Sequence, residues 1–302
     1  MIWLHCNNVK EAKRSTDSLL WRIATQITNM KHFSASPREM AASLWRNKGL
    51  IRNLIHREVV GRYKGSMLGI FWSLATPIFM LAVYTFVFSV VFKARWGAGG
   101  SDSKTEFALV LFAGLMIFNL FSECVGRAPG LILANVNYVK KVVFPLEVLP
   151  WVSMGSALFH FVVSLGVWLV AYVVLFGVPH WHVLLLPLVL GPLVLFVMGL
   201  SWALASLGVY LRDVGQIIGL VITVLMFLTP IFYPASSLPP AYQPLMFMNP
   251  LTPPIEMARD LLYWGQMPNL TLLALYAAGS LAFAVLGFAW FQKTRKGFAD
   301  VL

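Results

Sequence analysis

The chain has 302 residues, 59% hydrophobic and 12% charged, with a formal net charge of +11 and a mean hydropathy of +0.74. That balance excludes a soluble domain built round one large core and points to a polytopic membrane protein. The positive charge reads as a topology signal with some attraction to anionic lipid, not as a nucleic-acid footprint.

Residues 1–36 form a mixed, basic cytoplasmic arm without a continuous apolar core, so no cleavable signal peptide is expected there. From Ser36 the pattern changes. Ser36 fits an N-cap, Pro37 the first turn and Glu39 the acidic position of a capping box. Met40, Leu44, Ile51, Leu54, Ile55 and Val59 then recur at roughly helical spacing, with Arg46, Lys48, Arg52, Arg57 and Arg62 filling the rest of the surface. The spacing predicts an amphipathic basic helix over 37–66 that lies in the membrane interface. Its outer face is open to a cytoplasmic partner or to lipid headgroups.

Stretches free of Asp, Glu, Lys and Arg follow at 68–92, 107–122, 148–211, 214–255 and 261–292. A helix of about 20 apolar residues crosses a hydrocarbon core of roughly 30 Å. Gly177-Val178-Pro179-His180-Trp181-His182 punctuates the longest stretch and divides it into two spans. The expected fold is all-α and polytopic, with a transmembrane domain over 67–302. Its six spans lie at about 68–92, 107–128, 147–176, 184–210, 215–233 and 270–291. Segment 234–268 holds eight of the 17 prolines yet stays apolar. It reads as a re-entrant periplasmic helical hairpin between spans five and six, or as a periplasmic cap resting on lipid.

Charge orients these spans. Of the 23 Lys and Arg, twelve precede Leu68, three are Arg127, Lys140 and Lys141, one is Arg212, and Lys293, Arg295 and Lys296 lie in the tail. Only Lys93, Arg95, Lys104 and Arg259 fall on the other side. The positive-inside rule makes both termini cytoplasmic.

Two short cytoplasmic segments stand out, the first built to dock and the second with adjacent opposite charges that pair locally or reach a partner. Asn135 to Pro145, with Asn137, Lys140 and Lys141, is basic yet partly apolar, and Arg212-Asp213 sits in a tight hairpin. No G-x-x-x-x-G-K-[ST], His-Glu-x-x-His, Gly-x-Ser-x-Gly or Cys-x-x-Cys pattern occurs, so no ATPase site and no catalytic residue is expected in the chain. Cys6 and Cys124 lie at different depths and form no disulfide framework. His180-x-His182 lacks further metal ligands nearby, so no metal site is expected, and His160, alone in an apolar span, reads as a hydrogen-bonded interior group.

Ionisable groups at membrane depth are functional candidates. Here they are Glu123 and Arg127, four apart and able to neutralise each other or to gate, with Glu256, Arg259 and Asp260 in the re-entrant segment. Trp72, Phe79, Tyr84, Phe88, Phe118 and Tyr233 offer faces on which sugar rings could stack, or serve as interfacial belt and packing. Gly215-x-x-x-Gly219 permits close helix approach and marks a candidate dimer contact.

An ordered set of motifs carries a resemblance. Arg62-Tyr63-Lys64-x-Ser66-x-Leu68-Gly69-x-x-Trp72-x-x-x-x-Pro77 is followed by Lys141-Val142-Val143-Phe144-Pro145-x-Glu147-x-Leu149-Pro150. Then come Arg212-Asp213-Val214, Thr229-Pro230-Ile231-x-Tyr233 and Asn249-Pro250. From about residue 45 onward the chain resembles the transmembrane subunits of type-2 ABC exporters for bacterial cell-surface polysaccharides, most closely those for O-antigen. The resemblance implies an inner-membrane homodimer forming a channel, with two copies of a separate ATPase that bind ATP and Mg. It implies a polysaccharide on a polyprenyl-diphosphate carrier as substrate. It places Arg57, Glu58, Arg62, Tyr63 and Lys64 on the ATPase-facing helix, and 135–145 in the coupling or gate region. Capsule or teichoic-acid export is the alternative within the class. An integral-membrane glycosyl- or acyltransferase, or a secondary transporter, is the alternative outside it.

Overall fold

A computed structural model describes residues 35–91, 104–140, 144–237, 239 and 241–302. The arm before Ala35, Lys141 with residues 142 and 143, and 92–103 with Lys93 and Arg95 lie outside the described residues. Every regular element among those described is helical. In chain order they are α1 (Pro37–Arg46), α2 (Lys48–Tyr63), α3 (Trp72–Tyr84, prolonged by a wider π turn over Thr85–Val91) and α4 (Lys104–Arg127). α5 (Val136–Lys140), α6 (Val148–Phe176), α7 (Leu186–Tyr210) and α8 (Val214–Leu228) follow. The chain closes with α9 (Gln243–Met248), α10 (Thr252–Arg259, prolonged over Asp260–Trp264), α11 (Leu270–Thr294) and α12 (Phe298–Val301).

Among the described residues, five segments are long and apolar enough to cross a membrane: Gly69–Phe88, Thr105–Gly130, Val148–Phe176, Trp181–Tyr210 and Leu270–Val301. The sixth apolar helix, α8, falls short. Its 15 residues rise only about 22 Å. The expected span over 215–233 ends early because Pro230 disfavours helical backbone in the residue before it, and Thr229 is extended at φ −91°, ψ 142°.

The expected continuous helix over 37–66 is two helices. Asn47 leaves helical geometry at φ −100°, ψ 11°, and its side-chain amide donates to the Ser43 carbonyl at 2.8 Å. The expected cap is present, with Ser36 Oγ accepting from Glu39 N at 3.2 Å. Protein covers part of the apolar stripe that the sequence assigned to lipid. Ile51 and Leu54 pack on Val148 and Val152 of α6, and Ile55 lies so close to Gly155 that a Cβ there would meet its Cδ1 at 2.1 Å.

α4 is the hub. Leu109, Val110, Leu111, Ala113 and Ile117 are at most 1% exposed, and α6, α7, α8 and α10 all contact this helix. Lipid tails are as apolar as leucine, so such packing draws on close fit more than on water exclusion. The α7–α11 seam shows this. A Cβ on Gly287 would lie 2.1 Å from the Gly199 carbonyl oxygen, and one on Gly199 would lie 2.7 Å from that of Phe283.

The proline-rich segment after α8 is held by one cation. Arg259 has no exposed surface. Its guanidinium donates to the carbonyls of Val110 at 3.1 Å, Pro230 at 2.6 Å and Ile231 at 2.8 Å, and to Glu256 at 3.2 Å. Gly114 makes room for it, since a Cβ there would sit 2.6 Å from Nη2. Asn249 completes the junction, donating to Thr229 Oγ1 at 2.8 Å while accepting from Leu251 N at 3.0 Å.

Arg259→Met should cost roughly 1–3 kcal/mol for each acceptor left without a donor, enough to lower the melting temperature in detergent by roughly 10 °C. Arg259→Lys should recover part of the loss. An unchanged melting temperature for Arg259→Met would refute the role of this residue as a staple.

Candidate functional site

Where α2 meets α4 and α6, charges pair across helices. Glu58 and Arg62 are one turn apart on α2, and Glu123 and Arg127 one turn apart on α4. The two pairs face each other in antiparallel order. Arg62 Nη2 lies 2.6 Å from Glu123 Oε1, and Arg127 Nη2 lies 2.5 Å from Glu58 Oε1. The expected pairing within α4 is the weaker contact, at 3.8 Å, because both side chains reach closer partners on α2.

His160, which looked isolated in sequence, joins this ladder from α6. Its Nδ1 is 3.0 Å from Glu123 Oε2 and 3.1 Å from Arg62 Nη1, and its Nε2 is 3.1 Å from the Tyr63 hydroxyl. Burial pushes the Tyr63 phenol above its ordinary pKa, with Arg62 opposing. Arg62, Tyr63, Glu123 and His160 form one end of a groove of about 470 Å³ that continues along α3, α4 and α6 past Asn119 to Tyr84 and Phe112. Such a groove pairs hydrogen-bonding groups at one end with aromatic and apolar walls beyond.

A second cluster lies at the start of α6. Glu147 is buried, accepting from Ser43 Oγ of α1 at 3.0 Å and from Arg295 Nη1 at 2.5 Å. Arg295 Nη2 donates to the Phe144 carbonyl at 2.8 Å, and Trp202 Nε1 to the Glu147 carbonyl at 3.1 Å. Arg57 donates to Tyr138 of α5 at 2.9 Å, and Tyr138 stacks on Phe144 with ring centroids 4.4 Å apart. Lys140 reaches the Leu302 carbonyl.

The remaining expected residues divide clearly. Lys64, Asn137, Lys140, Arg212 and Asp213 are exposed, and Lys141 lies outside the described residues. Trp72 and Phe79 lie on the exposed side of α3, whereas Phe88 packs between Phe107 and Phe232, 5.6 Å from each. Phe118 is 3% exposed and packs on Phe121, so within this chain it belongs to the core. Tyr233 donates to the Phe227 carbonyl at 2.8 Å. Glu256 and Arg259 pair in the staple, with Asp260 the next residue. Gly215 and Gly219 lie on an exposed surface of α8, with nothing within 4 Å of a Cβ built on either. Among the described residues, no three His, Cys, Asp or Glu cluster closely enough to hold a metal ion.

Sequence reasoning missed Ser43 and Arg295 as partners of Glu147. Their separations of 104 and 148 residues leave no periodic signal. Glu147 stood only as one letter of a motif.

The described residues thus form a helical bundle with charges paired across helices beside a groove. Residues 49–263 match the ABC-2 type transporter family, and the chain belongs to that family. It is thus a multi-pass, membrane-embedded transporter subunit. Among similar proteins, the O-antigen export system permease protein RfbA of Myxococcus xanthus is 29% identical over 86% of this chain and 98% of its own length. An RfbA of Klebsiella pneumoniae is 27% identical over 87% and 100%. The polysialic acid transport protein KpsM of Escherichia coli is more distant, 21% identical over 81% and 93%.

A half-exposed ion pair is worth up to about 1 kcal/mol. Glu123→Ala should therefore speed amide hydrogen exchange over residues 57–66 roughly fivefold. Exchange at the wild-type rate would mean that the ladder does not hold α2.

Proposed function

We propose that the chain is the channel-forming permease subunit of an ATP-driven exporter that carries a polyprenyl-diphosphate-linked O-antigen polysaccharide across the bacterial inner membrane. The carrying observation is similarity along nearly the whole length of proteins named as O-antigen export permeases. The weaker likeness to a polysialic acid transport protein keeps a capsular polysaccharide as the second reading.

On this reading both termini are cytoplasmic, as the distribution of Lys and Arg favours. α8 then completes six crossings together with the extended turn after it, and α9 and α10 form a re-entrant hairpin on the outer side. α1 and α2 lie at the inner interface as the amphipathic segment. Two copies of a separate ABC ATPase bind ATP and Mg and dock on α1, α2 and residues 135–145. Exposed Arg57, Lys64, Asn137 and Lys140 supply polar contacts there. Two copies of this chain meet through apolar surface that a lone protomer leaves open, including Ile217, Leu220 and Phe227 of α8. Closure of the ATPases pushes α2, strains the Arg62–Glu123–His160 network and widens the groove for the polymer. Energy arrives by contact, since the chain carries no phosphate-cradling loop of the G-x-x-x-x-G-K-[ST] kind.

Purification of the tagged chain from native membranes should recover a Walker-type ATPase in equal amount. Absence of any ATPase under conditions that preserve such complexes would overturn this reading. Reversing the charge of Lys140 and Lys141 together to Glu should leave insertion intact and ATP hydrolysis running while export falls; normal export would rule out docking at that loop. Gly219→Trp should weaken cross-linking between protomers, and unchanged cross-linking would move the dimer contact elsewhere.

A further inference from the structure

The proposed export function leaves open how a push on short cytoplasmic segments reaches helices inside the membrane. We propose that Arg295 is a positioning residue for that coupling. It clamps Phe144 and Glu147, at the entry to α6, to the end of α11, and Glu147 carries the clamp on to α1, so that displacement of α1 turns α6 as a rigid lever on the groove. The inference rests on the exporter reading.

The geometry is a fork with two tines on one segment. Arg295 Nη1 holds the Glu147 carboxylate at 2.5 Å and Nη2 the Phe144 carbonyl at 2.8 Å. A planar guanidinium can hold two acceptors in fixed relation, which an ammonium on a flexible stem cannot. Glu147 is itself buried and sits at the N-terminal end of α6, where the helix dipole favours an anion. Its other oxygen accepts from Ser43 of α1 at 3.0 Å. One carboxylate thereby ties α1, the start of α6 and the end of α11 together. From Glu147, α6 runs unbroken to His160, thirteen residues or about 20 Å along a rigid rod, and His160 is a wall of the groove. Downstream of Arg295, Phe298 is fully buried against Phe291 and Tyr210, with ring centroids 5.6 and 6.0 Å away, so the clamp is anchored.

The test uses the full permease–ATPase complex carrying Arg295→Gln. Three quantities are measured: complex recovered from membranes, ATP hydrolysis by the purified complex, and polysaccharide displayed on the cell surface. The expected result is normal assembly, hydrolysis within twofold of wild type, and export per complex reduced about tenfold. Arg295→Lys, which keeps the charge without the fork, should fall between. Export per complex at the wild-type level, or export and hydrolysis falling in step, would overturn the proposal. If Arg295→Gln does not insert, Ser43→Ala decides by the same ratio: export per ATP hydrolysed should drop about threefold, and an unchanged ratio rejects the lever. Failure to recover an ATPase with the wild-type chain would instead sink the exporter reading on which the lever depends.

Discussion

A backbone carbonyl inside a membrane has no water to turn to, and leaving one without a donor costs several kcal/mol. That constraint governs the part of the chain that abandons regular helix. At Thr229-Pro230-Ile231 the chain leaves helix after α8, and the carbonyls there need partners. Arg259, the last residue of α10, supplies the donors, reaching Pro230, Ile231 and Val110 together. A buried cation is itself expensive unless several acceptors and a counter-charge surround it, and here Glu256 supplies the charge. The two costs cancel in one geometry, and that geometry fixes α10 against α4. The packing of α4 against its neighbours then follows from close contact of small residues and apolar side chains.

The opposite end obeys different physics. There the charges are partly exposed, so no individual pair is strong. Their value is in arrangement. Two charge pairs facing each other in antiparallel order hold α2 on α4 in one register, and His160 ties α6 to both. Contacts of modest strength hold α2 in place without locking it. The junction built on a buried arginine and the network built on half-exposed pairs thus divide the bundle into a firm end and a yielding one.

Part of this was legible from residues alone. The uncharged stretches marked the spans because the hydrocarbon core demands about 20 apolar residues in a row, and Ser36-Pro37 marked the start of α1 because helix ends need caps. Glu123, Arg127, Glu256 and Arg259 were visible as candidates because ionisable groups at membrane depth are rare. Their partners were not visible. Spacing along one helix suggested Glu123 with Arg127, yet each reached across to α2, where the opposite charge lies closer. The kink at Asn47 also escaped, because a helical stripe of apolar residues persists on both sides of it.

By itself, then, the sequence determined what local chemistry and composition control: a helical membrane protein, the approximate limits of its spans, and the crowding of positive charge before the first of them. Only the tertiary structure decided which distant groups meet. The Glu147–Arg295 clamp, the Arg259 staple and the place of His160 in the Glu123 network join residues 28 to 149 positions apart. The physical reason is that a side chain's hydrogen-bonding needs are written at its own position, while the partner that meets them is chosen by how whole helices pack.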